Sequence, residues 1–144
     1  MNVDDVIIDP DELGETIIQM MEEYGVETRD RVDKATTEVT KSSKDTVKAN
    51  ANIEHPDKNG RIRHPNRIGK YKKSITYKME HQSLVTIGHV YAKGHEYSLT
   101  HLLENGHKVW NAPGVRTRPF KHWKYGEDKA EHMLIPTMKK YLSK

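Results

Sequence analysis

The sequence predicts an α+β fold: a long amino-terminal helix, a small antiparallel β-sheet, a short middle helix and a C-terminal helix packed on the sheet. Three observations carry this. Apolar or small residues fall at Leu13, Ile17, Met20 or Met21, Tyr24, Val32, Ala35, Val39 and Val47, the steps of one helix face. Ile75, Tyr77 and Met79 then alternate with Thr76, Lys78 and Glu80, as on a half-buried strand. Finally, Ala130, Met133 or Leu134, Met138 and Tyr141 or Leu142 return to helical spacing between Glu127 and Leu142.

The 144 residues make a single domain, 1–144, with a long acidic helix over 1–50, a basic loop over 51–73 and a sheet with helices over 74–144. Hydrophobic residues are 34% of the chain and the nine glycines bring this to about 40%, below the ~45–50% of a typical soluble domain. With a mean hydropathy of −0.90 the private core must be thin, so part of the stability is expected from a partner. There is no cysteine, which excludes disulfides, thiolate zinc sites, iron–sulfur clusters and cysteine nucleophiles and fits a reducing cytoplasm. Met1-Asn2-Val3-Asp4-Asp5 is acidic where a secretion signal is basic, and no apolar run approaches the ~20 residues of a membrane span. A soluble, unexported protein without membrane contact is expected.

Charge is strongly polarised. Residues 1–30 hold ten acidic side chains against Arg29, a balance of −9, so the other 114 residues carry +12 to reach the net +3. A pI near 9.0 raises nucleic acid as a partner, but an acidic half that repels phosphate weakens that inference.

Asp9-Pro10-Asp11-Glu12 reads as a helix start, with Asp9 as N-cap, Pro10 at the first helical position and acid near the positive end of the dipole. Gly25 and β-branched Thr36, Thr37, Val39 and Thr40 lower propensity, so fraying or bending is expected beyond Ser42-Ser43. Unbroken to about residue 49, the helix would be roughly 60 Å long and would have to project or pack on a neighbour. His55-Pro56, Asn59-Gly60, His64-Pro65-Asn66 and Gly69 then break any period, while Arg61, Arg63, Arg67, Lys70, Lys72 and Lys73 concentrate positive charge in a loop. Long loops of this kind are often binding segments ordered in an assembly. A hairpin follows, turning near His81-Gln82 and returning through Leu84, Val85, Ile87, Val90 and Tyr91. Ser98 is the expected N-cap of a short helix stopped by Gly106, Lys108 to Phe120 an extended excursion, and Pro136 a kink in the last helix.

His101 and Glu104 share a helix face and His107 follows Gly106, a conceivable metal cluster. His107 would lie about 240° around from His101 at roughly 100° per residue, and no H-E-x-x-H spacing occurs, so hydrogen bonds to loop backbone are the favoured reading. His64 and Arg67 could serve a nuclease, but no metal-binding carboxylates accompany them. Nucleophile-elbow, phosphate-loop and dinucleotide motifs are missing, so no catalytic residue, metal or cofactor is expected. Trp110, Phe120, Trp123 and Tyr125 could form a base-stacking platform; a thin-cored domain needs them for burial instead.

Arg67-Ile68-Gly69-Lys70-Tyr71-Lys72-Lys73-Ser74-Ile75 resembles the T-G-x-[LY]-x-x-S-[IW] lead-in to the first strand in the tail-completion, or head–tail joining, family of long-tailed bacteriophages, also called minor tail components of the neck. Tyr97-Ser98-Leu99-Thr100-His101-Leu102-Leu103-Glu104-Asn105-Gly106-His107 resembles that family's Y-x-L-T-H-L-L-E-x-G-H segment. Val115-Arg116-Thr117-Arg118-Pro119-Phe120-Lys121-His122-Trp123 is similar to its R-V-x-x-x-P-H-[IW] approach to the final helix. Ile68 stands where the family has Thr, and two residues separate Pro119 from His122 where the family has an adjacent pair.

The resemblance implies a structural virion protein at the head–tail interface, made in the host cytoplasm, without catalysis or cofactor. It would form a ring, commonly of six copies, meeting head-closure or connector proteins and tail-terminator or tail-tube proteins. Gly69, Tyr71, Ser74, His101, Leu103, Glu104, Gly106, His107, Pro119 and His122 would be its fold signature. From the charge pattern, residues 1–30 and 58–73 are the expected opposite faces of contacts between copies. Isolated subunits are expected as monomers that order the loop on docking. The alternatives are a tail terminator or a DNA-binding protein using the basic loop, and DNA could also be touched in passage.

Overall fold

The computed structural model describes residues 13–51, 59, 65–82 and 85–143. The expected Asp9-Pro10 cap and the cations Arg61 and Arg63 lie outside these. Along the chain run α1 (Leu13–Asn50), α2 (Pro65–Ser74), β1 (Ile75–Gln82), β2 (Val85–Ala92), a 3-10 turn (Gly94–Glu96), α3 (Tyr97–Asn105) and α4 (Trp123–Leu142). The class is α+β, as the sequence predicts.

The 38 residues of α1 span about 57 Å at 1.5 Å per residue. Its second half, expected to fray, is the better held: Ala35, Val39, Thr40, Ser43 and Val47 are buried. Packing outweighs the few tenths of a kcal/mol per residue that β-branching costs. The hydroxyls of Thr36, Thr40 and Thr46 donate to the carbonyls of Val32, Thr36 and Ser42, at 2.9, 2.7 and 2.9 Å, so they are satisfied within the helix. The first half leaves the body behind. Tyr24, expected on the buried stripe, is 73% exposed and Val26 70%, because the last direct bond from the sheet reaches α1 at Asp33 and beyond it only the hairpin tip borders the helix across an open notch.

The hairpin pairs in antiparallel register from Ile75 with Ala92 to Gln82 with Val85. His81 and Gln82, where the sequence suggests a turn, are therefore ladder residues paired with Thr86 and Val85. Ile75, Tyr77 and Met79 share one face with Ala92, Val90 and Gly88. That face meets α1, where Lys41 and Lys44 lie over the Tyr77 ring and the Thr86 hydroxyl donates to the Asp33 carboxylate. The opposite face leaves Val85 and Tyr91 exposed.

Helix α4 runs antiparallel to α1. Tyr141 Oη donates to Glu38 Oε2 at 2.7 Å, and Ser43 Oγ donates to Gly126 O at 2.8 Å. Its chief neighbour is thus α1, and it faces the sheet across an open groove bordered by Gly88, Val90 and Glu127. It begins at Trp123, earlier than expected, and continues through Pro136. The core is indeed thin: among the described residues seven hydrophobic side chains are buried, three of them alanines. Val47, Ala51, Tyr71, Ile75 and Ala92 form its centre, with Leu99, Leu103, Phe120 and Trp123 packed around.

One expectation is corrected. Residues 65–73, read as the end of a basic loop, are helical, with Pro65 opening α2 where a proline is tolerated. Ile68 is half-buried and Tyr71 buried, three apart on one face, so two anchors hold a turn that charge and Gly69 would disfavour.

Two glycines of the helix pair should respond oppositely to the same change. A Cβ on Gly126 would overlap Val47 Cγ2 and press on Ser43, whereas one on Gly25 would meet open space. Gly126→Ala is expected to lower stability by about 1–3 kcal/mol. Gly25→Ala is expected to raise it by about 0.5–1 kcal/mol, both read from urea unfolding midpoints.

Candidate functional site

Helix α4 starts without a cap of its own. His122 occupies the N-cap position and makes no side-chain capping bond. Its first amides would be orphaned beside the core, a costly arrangement. Glu104, near the end of α3, supplies what is missing: Oε2 accepts from the backbone N–H of His122 (2.9 Å) and Trp123 (3.1 Å), and Oε1 from that of Lys124 (3.1 Å). A carboxylate at the positive end of α4 also complements the helix dipole. Burial alone would raise the Glu104 pKa, but the three amides, with His122 beside them, hold it below the ordinary glutamate value.

Beside this cap lies a buried polar chain. Trp123 Nε1 donates to Tyr71 Oη at 3.1 Å, and Tyr71 Oη lies 2.7 Å from His122 Nε2. His122 Nδ1 is 2.7 Å from Phe120 O and 3.2 Å from Glu104 Oε2. A proton on Nδ1 directed at these acceptors leaves Nε2 to receive the tyrosine hydroxyl, which satisfies every member. Desolvation pushes the Tyr71 pKa up, so its hydroxyl keeps the proton it donates. His122 and Tyr71 are almost wholly buried, and no substrate could reach them without unpacking the core.

Gly106 ends α3 at φ 68°, and a Cβ there would collide with Thr117 O. Ser98, expected as the N-cap of α3, lies inside the helix, which begins at Tyr97 after Glu96; its hydroxyl bonds His95 O at 2.8 Å. Ser74 Oγ donates to Tyr71 O at 2.6 Å as α2 ends. Leu103 O accepts the Phe120 amide at 2.7 Å, tying the returning chain to α3. His101 is exposed, Pro119 is exposed, and His107 Nδ1 faces Thr117 Oγ1 at 3.1 Å. Thus Tyr71, Leu103, Glu104 and His122 meet in one place, Gly106 turns the chain against Thr117 beside it, and His101, His107 and Pro119 lie outside it. Nothing in the structure explains a glycine at 69, where a Cβ would meet nothing within 4 Å. Both oxygens of Glu104 are engaged by amides, and among the described residues no three metal-binding side chains converge.

Two surface features complete the picture. On α2, Arg67, Lys70 and Lys73 are exposed and Lys72 half-buried, with Lys70 Nζ 3.8 Å from Glu96 Oε1. Between Gly106 and Phe120 the chain forms a small hairpin, not just an extended excursion. Lys108 bridges Arg116, Val109 N donates to Val115 O at 2.9 Å, and Thr117 N to His107 O at 2.8 Å. Trp110 stands at its tip, 96% exposed. Of the four aromatics assigned to the core from sequence, Phe120 and Trp123 belong there; Trp110 and Tyr125 do not. At ~25 cal/mol per Å², a bare indole of ~150–250 Å² forgoes about 4–6 kcal/mol of burial.

A two-stranded sheet clamped on an over-long helix, with Glu104 and the Tyr71–His122–Trp123 chain joining α3 to α4, defines a small α+β protein. A family model described as "Bacteriophage HK97-gp10, putative tail-component" matches residues 15–106, and the chain belongs to this family of phage tail components. The match takes in α1, the sheet and Glu104; Pro119 and His122 lie beyond it. No curated protein and no solved structure matches the chain. Among the described residues no helix is long and apolar enough to cross a membrane.

The cap should make stability depend on pH in a particular sense. Because folding depresses the Glu104 pKa, its contribution is complete above the unfolded glutamate value and is lost as pH falls through the lower folded value. Glu104→Gln is expected to cost about 1–2 kcal/mol at pH 7. Urea titrations at stepped pH should then show the difference between the two proteins shrinking toward acid.

Proposed function

We propose that the protein is a structural, non-catalytic subunit of the head–tail interface of a long-tailed phage, acting in tail completion or head–tail joining as one copy in a ring. Membership of a family of phage tail components supports a place in the virion. The observation that carries the ring is the outrun of α1. Its acidic first half exposes Ile18, Tyr24 and Val26 beyond the body, while Arg67, Lys70 and Lys73 are exposed on α2 at the opposite end. Unlike surfaces at opposite ends suit a head-to-tail contact, which closes into a ring when the rotation permits. The fold signature then has a mechanical role: Glu104 and the Tyr71–His122–Trp123 chain hold α2, α3 and α4 as one rigid base for the projecting helix.

Tail and head partners are the connector or head-closure protein on one side and the tail-terminator or tail-tube protein on the other. Loss of the gene product from the phage should leave filled heads and finished tails unjoined in electron micrographs, with joining restored in trans by the wild-type chain. Arg67→Glu combined with Lys70→Glu and Lys73→Glu should fail to restore it. Normal particles without the protein would overturn the reading, and tubes of unregulated length would favour a tail terminator. A steeply salt-dependent duplex-DNA complex lost in the same variant would favour a DNA-binding role. Self-association followed by sedimentation should weaken as ionic strength rises, because exposed pairs are worth only about 0–1 kcal/mol each and are screened.

A further inference from the structure

Trp110 is an apolar side chain held out into solvent by an ordered scaffold. The hairpin beneath it is closed by backbone bonds, with Ala112 N to Val109 O (3.3 Å) and Val115 N to Ala112 O (3.0 Å) shaping the tip and Gly114 at φ 84°. It is also uniformly basic. From Gly106 to Lys121 the chain carries Lys108, Arg116, Arg118 and Lys121 and no acid. Among the described residues Lys108, Arg116 and Arg118 form no ion pair with a carboxylate.

A receptor of opposite character exists elsewhere on the same molecule. Where α1 leaves the body, a notch of about 630 Å³ opens between the helix and the tip of the β1–β2 hairpin. Gly25, Val26, Val32 and Val85 provide apolar wall; Glu22 and Asp33 provide acid beside Arg29 and His81, Asp33 being already bonded by Thr86 and 3.4 Å from His81, so Glu22 is the carboxylate left to meet a basic tip. Over residues 13–33 six acidic side chains stand against two basic ones. A glycine in the wall leaves room for a flat ring, and the notch is larger than one indole requires. The large groove beside Trp123 is a poorer receptor for a basic tip, since Lys121 and Lys124 line it along with Glu104 and Glu127.

The two features cannot meet within one copy. The hairpin springs from the core around Val47, and the notch surrounds Val26, 21 residues earlier on one continuous helix, about 32 Å away at 1.5 Å per residue. We infer that the Trp110 hairpin of one copy seats in the α1 notch of a second copy, with the indole against Val26 and Val85 and Lys108 and Arg116 against the acidic rim. Aromatic anchors ringed by complementary charge are the usual energetic centre of such contacts. This inference rests on the ring reading and names the surfaces that would close it, adding an apolar anchor to the charge pairing.

The native chain has no cysteine, so single-cysteine variants report proximity without background. Full-length Asn111→Cys, at the tip, is mixed with a differently tagged Gln82→Cys, at the notch, and treated with a short bismaleimide. The expected result is a mixed dimer that does not form when Gln82→Cys is replaced by Lys129→Cys on the exposed side of α4. Lys108→Glu with Arg116→Glu in the first partner should abolish the link, and Glu22→Lys in the second should restore it. Trp110→Ala should weaken self-association by about 30-fold in sedimentation. Equal linking at Lys129→Cys, or a link indifferent to charge reversal, overturns the proposal. Copies that associate without the Asn111–Gln82 link would sink this surface and leave the ring reading intact. Copies that associate neither in solution nor in particles would sink both. Loss of duplex-DNA binding in the charge-reversed hairpin, with no link in the parent, would assign the hairpin to nucleic acid instead.

Discussion

One carboxylate governs how the carboxyl-terminal third of this protein is arranged. Glu104 sits at the end of a short helix and receives three amides from the start of a long one, across a separation of eighteen to twenty residues. Without that acceptor α4 would begin with unsatisfied donors next to the core, since His122 turns its own ring to Tyr71 and Phe120. With it, the direction of α4 is fixed relative to α3, and α4 can lie along α1 closely enough for Ser43 to bond Gly126. A thin core can be specific when a few polar contacts are fully satisfied, because any rearrangement leaves several of them unmet at once.

Much of this could be read from the residues in advance, and the failures share a cause. Local patterns gave the class, the long helix, the alternating hairpin and the glycine stop at Gly106. They placed the hairpin turn too early because Ser83-Leu84 looks more strand-like than His81-Gln82, whereas pairing register is decided across strands. They missed α2 because its helix is held by Ile68 and Tyr71 against distant elements, against the preference of its cations and Gly69. The general need of a small domain for aromatic burial puts Trp110 in the core, but nothing local says which way a loop aromatic faces.

The candidate site was half visible. Glu104 was expected to tie a following loop to the body; its actual target is the next helix. One signal pointed that way: the segment before α4, Arg118-Pro119-Phe120-Lys121-His122, offers no Ser, Thr, Asp or Asn where a cap is needed, so an acceptor had to come from elsewhere. The Tyr71–His122 bond, spanning 51 residues, had no local signal at all. Of the His101, Glu104 and His107 set, only Glu104 fastens one helix to another; His101 is exposed and His107 meets Thr117.

The protruding part of α1 acts as a lever whose fulcrum is the packing of Ala35, Val39 and Val47. Over roughly 30 Å of free arm, a one-degree tilt at that seat displaces the far end by about half an ångström. In the proposed ring, small volume changes deep in the body would therefore alter the pitch at which successive molecules are presented, and with it whether a chain of them bends back on itself or runs on as a spiral. The interior residues that never touch a neighbour would in this way share in setting the curvature of whatever is built from them.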